Sequence, residues 1–377
     1  MAAGGTPPLV VLAAGGTGGH LFPAEALAVA LRARGAAIDL ATDERATRYG
    51  AAFPARTTHL IPSATFHGRD PVSMARTLAT LGVGTLRAWA LLGRLRPAAV
   101  VGFGGYPTIP PMFAASLRGI PTILHEQNGV MGRANRFLAQ RVTAIATGFP
   151  GLAASLPSLS AKMQHVGNPV RPAVIAAAAT PYPPLSGDGP IRLLVFGGSQ
   201  GARVMADIVP PAMEHLDPAL RTRLVITQQA RDEDATRVRE TYAGFGVQAD
   251  VAPFFTDLPA RMAASHLVIS RSGASTVAEL AAIGRPAVMV PLPHALDQDQ
   301  LANANVLAGA GGGMVVKQAD FTPERIAREI AALAADAARL STMAAAASGI
   351  GIRDAAERLA DLVLRVAGVA DARKENP

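Results

Sequence analysis

Short apolar runs alternate with amphipathic, alanine-rich segments along nearly the whole chain. LVVLAA (9–14), AAVVGFGG (98–105), PTILHE (121–126) and TAIAT (143–147) are short and almost continuously apolar, so they read as strands covered on both faces. Between the first two lies PAEALAVALRARG (23–35), with Pro near its first turn and Gly past its end, which predicts a helix. The pattern restarts at RLLVFGGSQGA (192–202) and continues through LVIT (224–227), VQADVAPF (247–254), HLVIS (266–270) and AVMVP (287–291). Strands that alternate with helices make βαβ units and parallel sheets. The reading is an α/β chain of two Rossmann-like domains with a cleft between them. The chain crosses over near GNPVR (167–171), and the Pro-rich stretch TPYPPLSGDGP (180–190) is a loop inside the second half. A last helix, RDAAERLADLVLRVAG (353–368), suits either domain.

A length of 377 residues accommodates two such domains, each with its own core. The absence of cysteine excludes disulfides and Cys-ligated metal and fits a reducing compartment. The net charge of +7 comes from scattered arginines with no Lys/Arg tract. It suits a phosphate, anionic-lipid or nucleic-acid partner, or reflects no more than Arg- and Ala-rich coding. No run approaches the ~18–20 apolar residues that span a bilayer. The apolar N-terminus lacks a basic lead and runs straight into a glycine loop, so it reads as a first strand rather than a signal peptide, and a cytoplasmic protein is expected.

That loop, GGTGGH (15–20), is the first candidate site. A dinucleotide fingerprint starting at Gly16 needs glycine where Leu21 stands, and a P-loop needs G-K-[ST], which is absent. What remains is a set of backbone N–H groups at a helix start, aimed at an anion or polar group, or a tight turn that needs glycine. His20 is a candidate ligand-facing histidine or a buried structural one. GFGGYPTIPP (102–111) adds a second glycine turn after a strand. HEQNG (125–129) sets His125, Glu126 and Asn128 at the same sheet edge, where a helix cap is the ordinary explanation of Asn128.

In the second half, GGSQGA (197–202) repeats the phosphate-cradling logic with a hydroxyl at Ser199. In SRSGASTVAEL (270–280), Thr276 and Glu279 have capping-box spacing, and the alternative is a carboxylate that accepts both hydroxyls of a ribose. HALDQDQLANA (294–304) offers Asp297, Gln298, Gln300 and Asn303 to sugar hydroxyls. DED (232–234) and DQD (297–299) match a loose D-x-D metal pattern. The first sits in a charged run that reads as a solvated helix face, and His ligands at metal spacing are absent, so no metal is expected. In MARTLATLGVGTLRAWALLGRLR (74–96), Leu78, Leu81, Leu86, Trp89 and Leu92 are interleaved with Arg76, Arg87, Arg94 and Arg96. This is either the core face of a helix or an interfacial anchor with basic flanks.

Together these segments resemble the MurG family of glycosyltransferases. GGTGGH, GFGGYPT, HEQNG, GNPVR, GGSQGA, SRSGA-x-TVAE and a Q-x-x-NA element occur in family order, from about position 10 to 304. The resemblance implies a GT-B fold, with residues 1–170 as the acceptor and membrane-side domain, residues 171–351 as the UDP-N-acetylglucosamine domain, and the segment from about 352 to 377 returning to the first domain. It implies an inverting transfer of N-acetylglucosamine to the 4-hydroxyl of the muramyl sugar of lipid I, without a cofactor and without nucleic acid as partner. The site would be the cytoplasmic face of the inner membrane, held there peripherally through the Leu78–Trp89 patch on anionic lipid.

By matched motif, Ser199, Ala274, Ser275 and Thr276 hold the donor diphosphate, Glu279 the ribose, and the Phe255 backbone the uracil. Gln300 and Asn128 hold the N-acetylglucosamine, with Arg171 contributing at the hinge. Thr17, Gly18 and Gly19 face the donor sugar and the acceptor diphosphate, with Gly16, Gly104, Gly105 and Tyr106 on the acceptor side. His20 is the first choice of general base and Glu126 the second. Two departures stand out: Asp299 replaces a histidine of many relatives in a loop one residue longer than in some, and FHGRDP (66–71) is less basic and glycine-containing than the family's loop. The competing readings are another GT-B enzyme (a diacylglycerol glycosyltransferase or a UDP-N-acetylglucosamine 2-epimerase), a nicotinamide oxidoreductase, and a non-catalytic nucleotide-binding module.

Overall fold

The computed structural model describes residues 7–15, 18–44, 53–65, 70–198, 201–295 and 298–369. They form two compact units, one of Met1–Arg171 with Arg353–Pro377, the other of Pro172–Ile352.

The first unit is built on seven parallel strands: β1 (Leu9–Ala13), β2 (Ala37–Thr42), β3 (Thr57–Leu60), β4 (Ala99–Gly102), β5 (Thr122–Glu126), β6 (Ala144–Thr147) and β7 (Met163–His165). Their order is β3-β2-β1-β4-β5-β6-β7. Side chains alternate across the sheet as the two-residue strand period requires. Val10 and Leu12 of β1 face a core that includes Leu27 and Leu31 of the helix Gly18–Arg32 and Leu359 and Val363 of the helix Ala355–Val366. Val11 and Ala13 face the opposite core, with Ala88 and Leu92 of the helix Pro71–Leu95 and Met112 of the helix Ile109–Leu117.

The second unit has six parallel strands: β8 (Ile191–Phe196), β9 (Leu224–Gln229), β10 (Gln248–Ala252), β11 (Leu267–Ser270), β12 (Ala287–Met289) and β13 (Gly313–Val315), in the order β10-β9-β8-β11-β12-β13. Each sheet therefore reverses its winding beside its first strand, between β1 and β4 and between β8 and β11. In open parallel sheets ligands bind outside the carboxyl ends of the strands at such a reversal.

Two local expectations change. The helix predicted from Pro23 starts at Gly18, so His20 lies in its first turn and Pro23 inside it. The stripe around Leu86 divides: Leu92 lies in the core, and Leu78, Leu86 and Trp89 do not. The helix Pro71–Leu95 begins on Pro71, capped by Asp70, whose carboxylate accepts the Ser73 N–H at 2.8 Å. It buries Thr77, Gly84, Ala88 and Leu92, mostly small residues that let its neighbours approach closely: a Cβ on Gly84 would meet the Pro62 carbonyl and Pro110 of the helix Ile109–Leu117. Leu86 is 71% exposed, Leu78 58% and Trp89 46%, while Leu81 is half-buried. Among the described residues no single helix is long and apolar enough to cross a bilayer.

Candidate functional sites at the two winding reversals

The glycine loop after β1 and the GFGG turn after β4 flank the reversal of the first sheet. Gly104 and Gly105 adopt φ of +85° and +74°, open to glycine at little cost. The turn they make packs on His20: a Cβ on Gly105 would lie 3.2 Å from His20 Nε2, and one on Gly104 3.5 Å from Cε1. On its other side the imidazole Nδ1 is 3.0 Å from Gln127 Oε1. Gln127 Nε2 donates to the Phe103 carbonyl at 2.9 Å, which fixes the amide with its oxygen toward the ring. An amide oxygen only accepts, so Nδ1 carries the proton and Nε2 keeps its lone pair. Burial holds the His20 pKa below the ordinary imidazole value, and the bond to Gln127 opposes this. The ring is thus neutral at physiological pH, with its basic nitrogen beside the glycine turn.

Glu126, the second candidate base, does other work. Its carboxylate is 2% exposed. Oε1 accepts from the Asn128 N–H at 3.0 Å and from Asn128 Nδ2 at 3.2 Å; Oε2 accepts from the Gly132 N–H at 2.9 Å and from Asn135 Nδ2 at 2.8 Å. Burial raises its pKa, and these four donors pull the other way. With two donors on each oxygen it organises the loop from 128 to 135 and has little capacity left for a substrate proton. Asn128 is correspondingly a partner of Glu126 and caps no helix: the cap residue of the helix Arg133–Leu138 is Gly132.

His125 is fully buried, 3.0 Å from the Gly167 carbonyl through Nε2, and burial pushes its pKa down to about 4. Asn168 Nδ2 donates to the Gln127 carbonyl at 2.9 Å, so HEQNG and GNPVR brace one another. The Arg171 guanidinium lies 4.4 Å from the Phe22 ring centroid, a cation–π distance. Gln127 and Asn168 were not singled out as site residues from sequence, although HEQNG and GNPVR contain them. Gly18 and Gly19 open the helix that carries His20, and Tyr106 begins the short turn Tyr106–Thr108. Gly16, Thr17 and residues 66–69 lie outside the described residues.

At the second reversal, the turn after β8 and the turn after β11 take the equivalent positions. Gly198 and Gly201 have φ of +91° and +68°, and the Gly197 N–H is held by Gln229 Oε1 at 3.1 Å. Ser199 and Asp297 lie outside the described residues. After β11 the helix Ala274–Ile283 starts with Gly273 at its cap and no side-chain cap bond. Thr276 is therefore its third residue, and the capping-box reading of Thr276 and Glu279 does not hold. The N–H groups of Ala274, Ser275 and Thr276 have no acceptor inside the helix and carry its positive dipole end. Glu279 is buried one turn further on.

The second wall is the helix Asp299–Gly309. Gln300 is tied at three points: its N–H to Asp299 Oδ1 at 2.7 Å, its carbonyl to Ser272 Oγ at 2.8 Å, and its Oε1 to the Leu292 N–H at 3.0 Å. Leu292 N–H is an obligate donor, so the amide faces it with oxygen and leaves Nε2 for a ligand. Asn303 Nδ2 donates to the Ser272 carbonyl at 3.2 Å. Arg271, also buried, reaches the Val290 and Pro291 carbonyls at 3.0 and 3.2 Å and Gln318 Oε1 at 2.6 Å. Phe255 is buried at the end of β10 with Arg261 stacked 4.3 Å from its ring centroid. DED lies in the first turn of the helix Asp232–Gly244, where acids complement the dipole. Among the described residues no group of three or more His, Asp or Glu side chains converges as a metal site would require.

The chain matches the glycosyltransferase family 28 N-terminal domain over residues 10–147 and the family 28 C-terminal domain over residues 192–359. It is 64% identical, over 96% of its length and 99% of the relative, to the UDP-N-acetylglucosamine–N-acetylmuramyl-(pentapeptide) pyrophosphoryl-undecaprenol N-acetylglucosamine transferase of Rhodopseudomonas palustris. Among solved structures it is similar to Acinetobacter baumannii MurG, with a TM-score of 0.77 and 29% identity over 95% of this chain and all of that one. It also shares its fold with the UDP-N-acetylglucosamine 2-epimerase of Neisseria meningitidis, at a TM-score of 0.66 and 14% identity over 95% and 99% of the two chains. At the latter identity the likeness speaks for the fold alone. The chain belongs to glycosyltransferase family 28 and, within it, to the MurG family of N-acetylglucosaminyltransferases.

Proposed function

We propose that this enzyme transfers N-acetylglucosamine from UDP-N-acetylglucosamine to the 4-hydroxyl of the muramyl sugar of the undecaprenyl-pyrophosphoryl-pentapeptide acceptor. The observation that carries the reading is a glycosyltransferase chain with a neutral histidine, its proton fixed on Nδ1, among glycine turns at a sheet reversal. His20 Nε2 takes the proton of the attacking hydroxyl. The deprotonated 4-oxygen bonds to the anomeric carbon from the face opposite the diphosphate, the bond from that carbon to the diphosphate oxygen breaks, and UDP leaves with inversion. Holding both substrates together removes much of the entropic barrier.

Charge that develops on the leaving diphosphate meets the N–H groups at Ala274, Ser275 and Thr276 and the glycine turn bearing Ser199. Glu279 serves the ribose, the Phe255 backbone the uracil, and Gln300 donates from Nε2 to a sugar oxygen. Asn128 and Arg171 complete the donor contacts with Thr17, Gly18 and Gly19. Gly16, Gly104, Gly105 and Tyr106 serve the acceptor. The helix Pro71–Leu95 seats the enzyme peripherally on the cytoplasmic leaflet: Leu78, Leu86 and Trp89 face solvent, and Arg118 stacks 3.7 Å from the Trp89 ring centroid. Transfer of labelled N-acetylglucosamine to a lipid I analogue tests the reaction. Conversion of the donor to UDP-N-acetylmannosamine, or to N-acetylmannosamine and UDP by hydrolysis, with no transfer would make the enzyme an epimerase instead.

A further inference from the structure

The helix Ala274–Ile283 is about 15 Å long at 1.5 Å per residue. Its first turn faces the sheet reversal. Its far end sits where the chain enters and leaves the second unit. Gly284 closes it in the left-handed conformation, φ +72°. Next comes Arg285, 1% exposed and without a carboxylate partner among the described residues. Its guanidinium donates to five backbone carbonyls: Ile283 at 2.7 Å and Gly284 at 3.0 Å on the helix end, Ala263 at 2.5 Å, and Thr180 and Pro181 at 3.2 and 3.1 Å. Thr180 and Pro181 lie in the stretch that follows the helix Pro172–Ala177, the first element of the second unit.

The exit is held at the same end. A Cβ on Gly351 would meet the Ala281 carbonyl oxygen at 2.4 Å and Ala282 Cα at 3.0 Å; one on Gly284 would meet Ser348 Cβ at 2.9 Å. The helices Pro172–Ala177 and Ala337–Gly349, which flank the entry and the exit, both pack on Ala274–Ile283. A buried cation is a poor way to fill space, since a well-packed apolar side chain of similar volume costs no desolvation. What a planar five-donor fork achieves, and a point-charge ammonium cannot, is to fix carbonyls from three segments at one place.

We infer that Arg285 is a positioning residue of the transfer reaction: it ties the entry segment to the rear of the helix whose front turn receives the donor diphosphate, beside the exit at Gly351, so that donor binding is felt at both connections. This rests on the donor reading of the 272–277 turn. Ala274–Ile283 is one unbroken helix, so a pull by a nucleotide on Ala274–Thr276 would be transmitted along it to the clamp.

Hydrogen exchange with and without UDP, on the full enzyme, reads the coupling. UDP is expected to slow exchange at 272–277 and also at 178–183 and 348–352. Arg285→Lys keeps the first effect, loses the effect at 178–183, and lowers kcat by about tenfold while UDP affinity changes less than about threefold. Should Arg285→Lys fail to fold, Gly351→Ala leaves the clamp in place, displaces the exit, and is expected to lose protection at 348–352 with the same kcat-against-affinity split. UDP protection confined to 272–277 in the unmodified enzyme overturns the inference, as does a folded Arg285→Lys variant with full kcat. UDP binding without protection at 272–277 overturns the donor reading itself.

Discussion

Glu126→Gln separates a structural carboxylate from a catalytic one. The carboxylate accepts two donors on each oxygen. An amide oxygen keeps one pair, while its NH2 group faces two N–H donors it cannot satisfy. Hydrogen bonds to a charged group are worth about 1.5–3 kcal/mol each, so two lost bonds set a gross cost of roughly 3–6 kcal/mol. The amide also avoids the expense of burying a charge, which is visible in the raised Glu126 pKa. The net loss is therefore about 2–3 kcal/mol. For a unit of this size, about 2–4 °C per kcal/mol gives a drop of roughly 4–12 °C in the first unit's unfolding transition. Calorimetry and steady-state kinetics on the same sample check it. The expected variant melts early, shows a raised donor KM as the 128–135 loop that carries Asn128 loosens, and keeps an acidic limb of its pH–rate profile, as proposed for His20. A variant that melts with the unmodified enzyme but loses kcat a thousandfold would refute the argument and make Glu126 the base.

His20→Ala should lower kcat by about 10²–10⁴ with donor affinity unchanged, and a loss below tenfold would sink the base assignment. Because burial lowers the His20 pKa, the rate should hold to a pH below the 6.5 of free imidazole before protonation of Nε2 cuts it; a limb at or above 6.5 contradicts the buried neutral ring. His125 titrates near 6.5 unfolded and at about 4 folded, so between those values the unfolded state binds more protons and stability falls as pH drops, by up to ~3 kcal/mol. His125→Asn should flatten that slope in urea unfolding measured from pH 7 to 4. Leu78→Glu with Trp89→Glu should abolish sedimentation with anionic vesicles while soluble-acceptor turnover persists; undiminished sedimentation rejects the patch as the membrane contact.

The central strands were legible in the sequence because both faces are covered, which leaves continuous apolar runs such as LVVLA. The strands β2, β3, β7 and β13 were not. β2 carries Asp39 at a fully buried position, tolerable only because Arg56 and His59 reach it at 3.0 and 2.9 Å from the neighbouring segment. β3 and β7 are short edge strands with mixed polarity, and β13, Gly-Met-Val, is an edge strand of three residues, too short to show a pattern. The glycine motifs announced both reversals, since close backbone approach restricts the residue type. The different surroundings of His20 and Glu126 were hidden: they depend on the loop folding back onto Glu126 and on Gln127, whose orientation is set by a carbonyl of another strand's turn. The faces of the helix Pro71–Leu95 were equally ambiguous, because glycine and alanine can serve a close contact as well as leucine serves a core.

The helix Ala355–Val366 belongs to the first unit, where Leu359, Ala360 and Val363 share a core with Leu27 and Leu31. During synthesis that core stays open until the whole second unit has been made. At roughly 5–20 residues per second, the intervening stretch of about 180 residues is a delay of some 10–40 s. The second unit, contiguous in the chain, can fold as it emerges. The first must wait with the apolar side of Gly18–Arg32 uncovered, a face on which a ribosome-bound chaperone would find its hold, and a chain that stops short of Ala355 would carry that face for good.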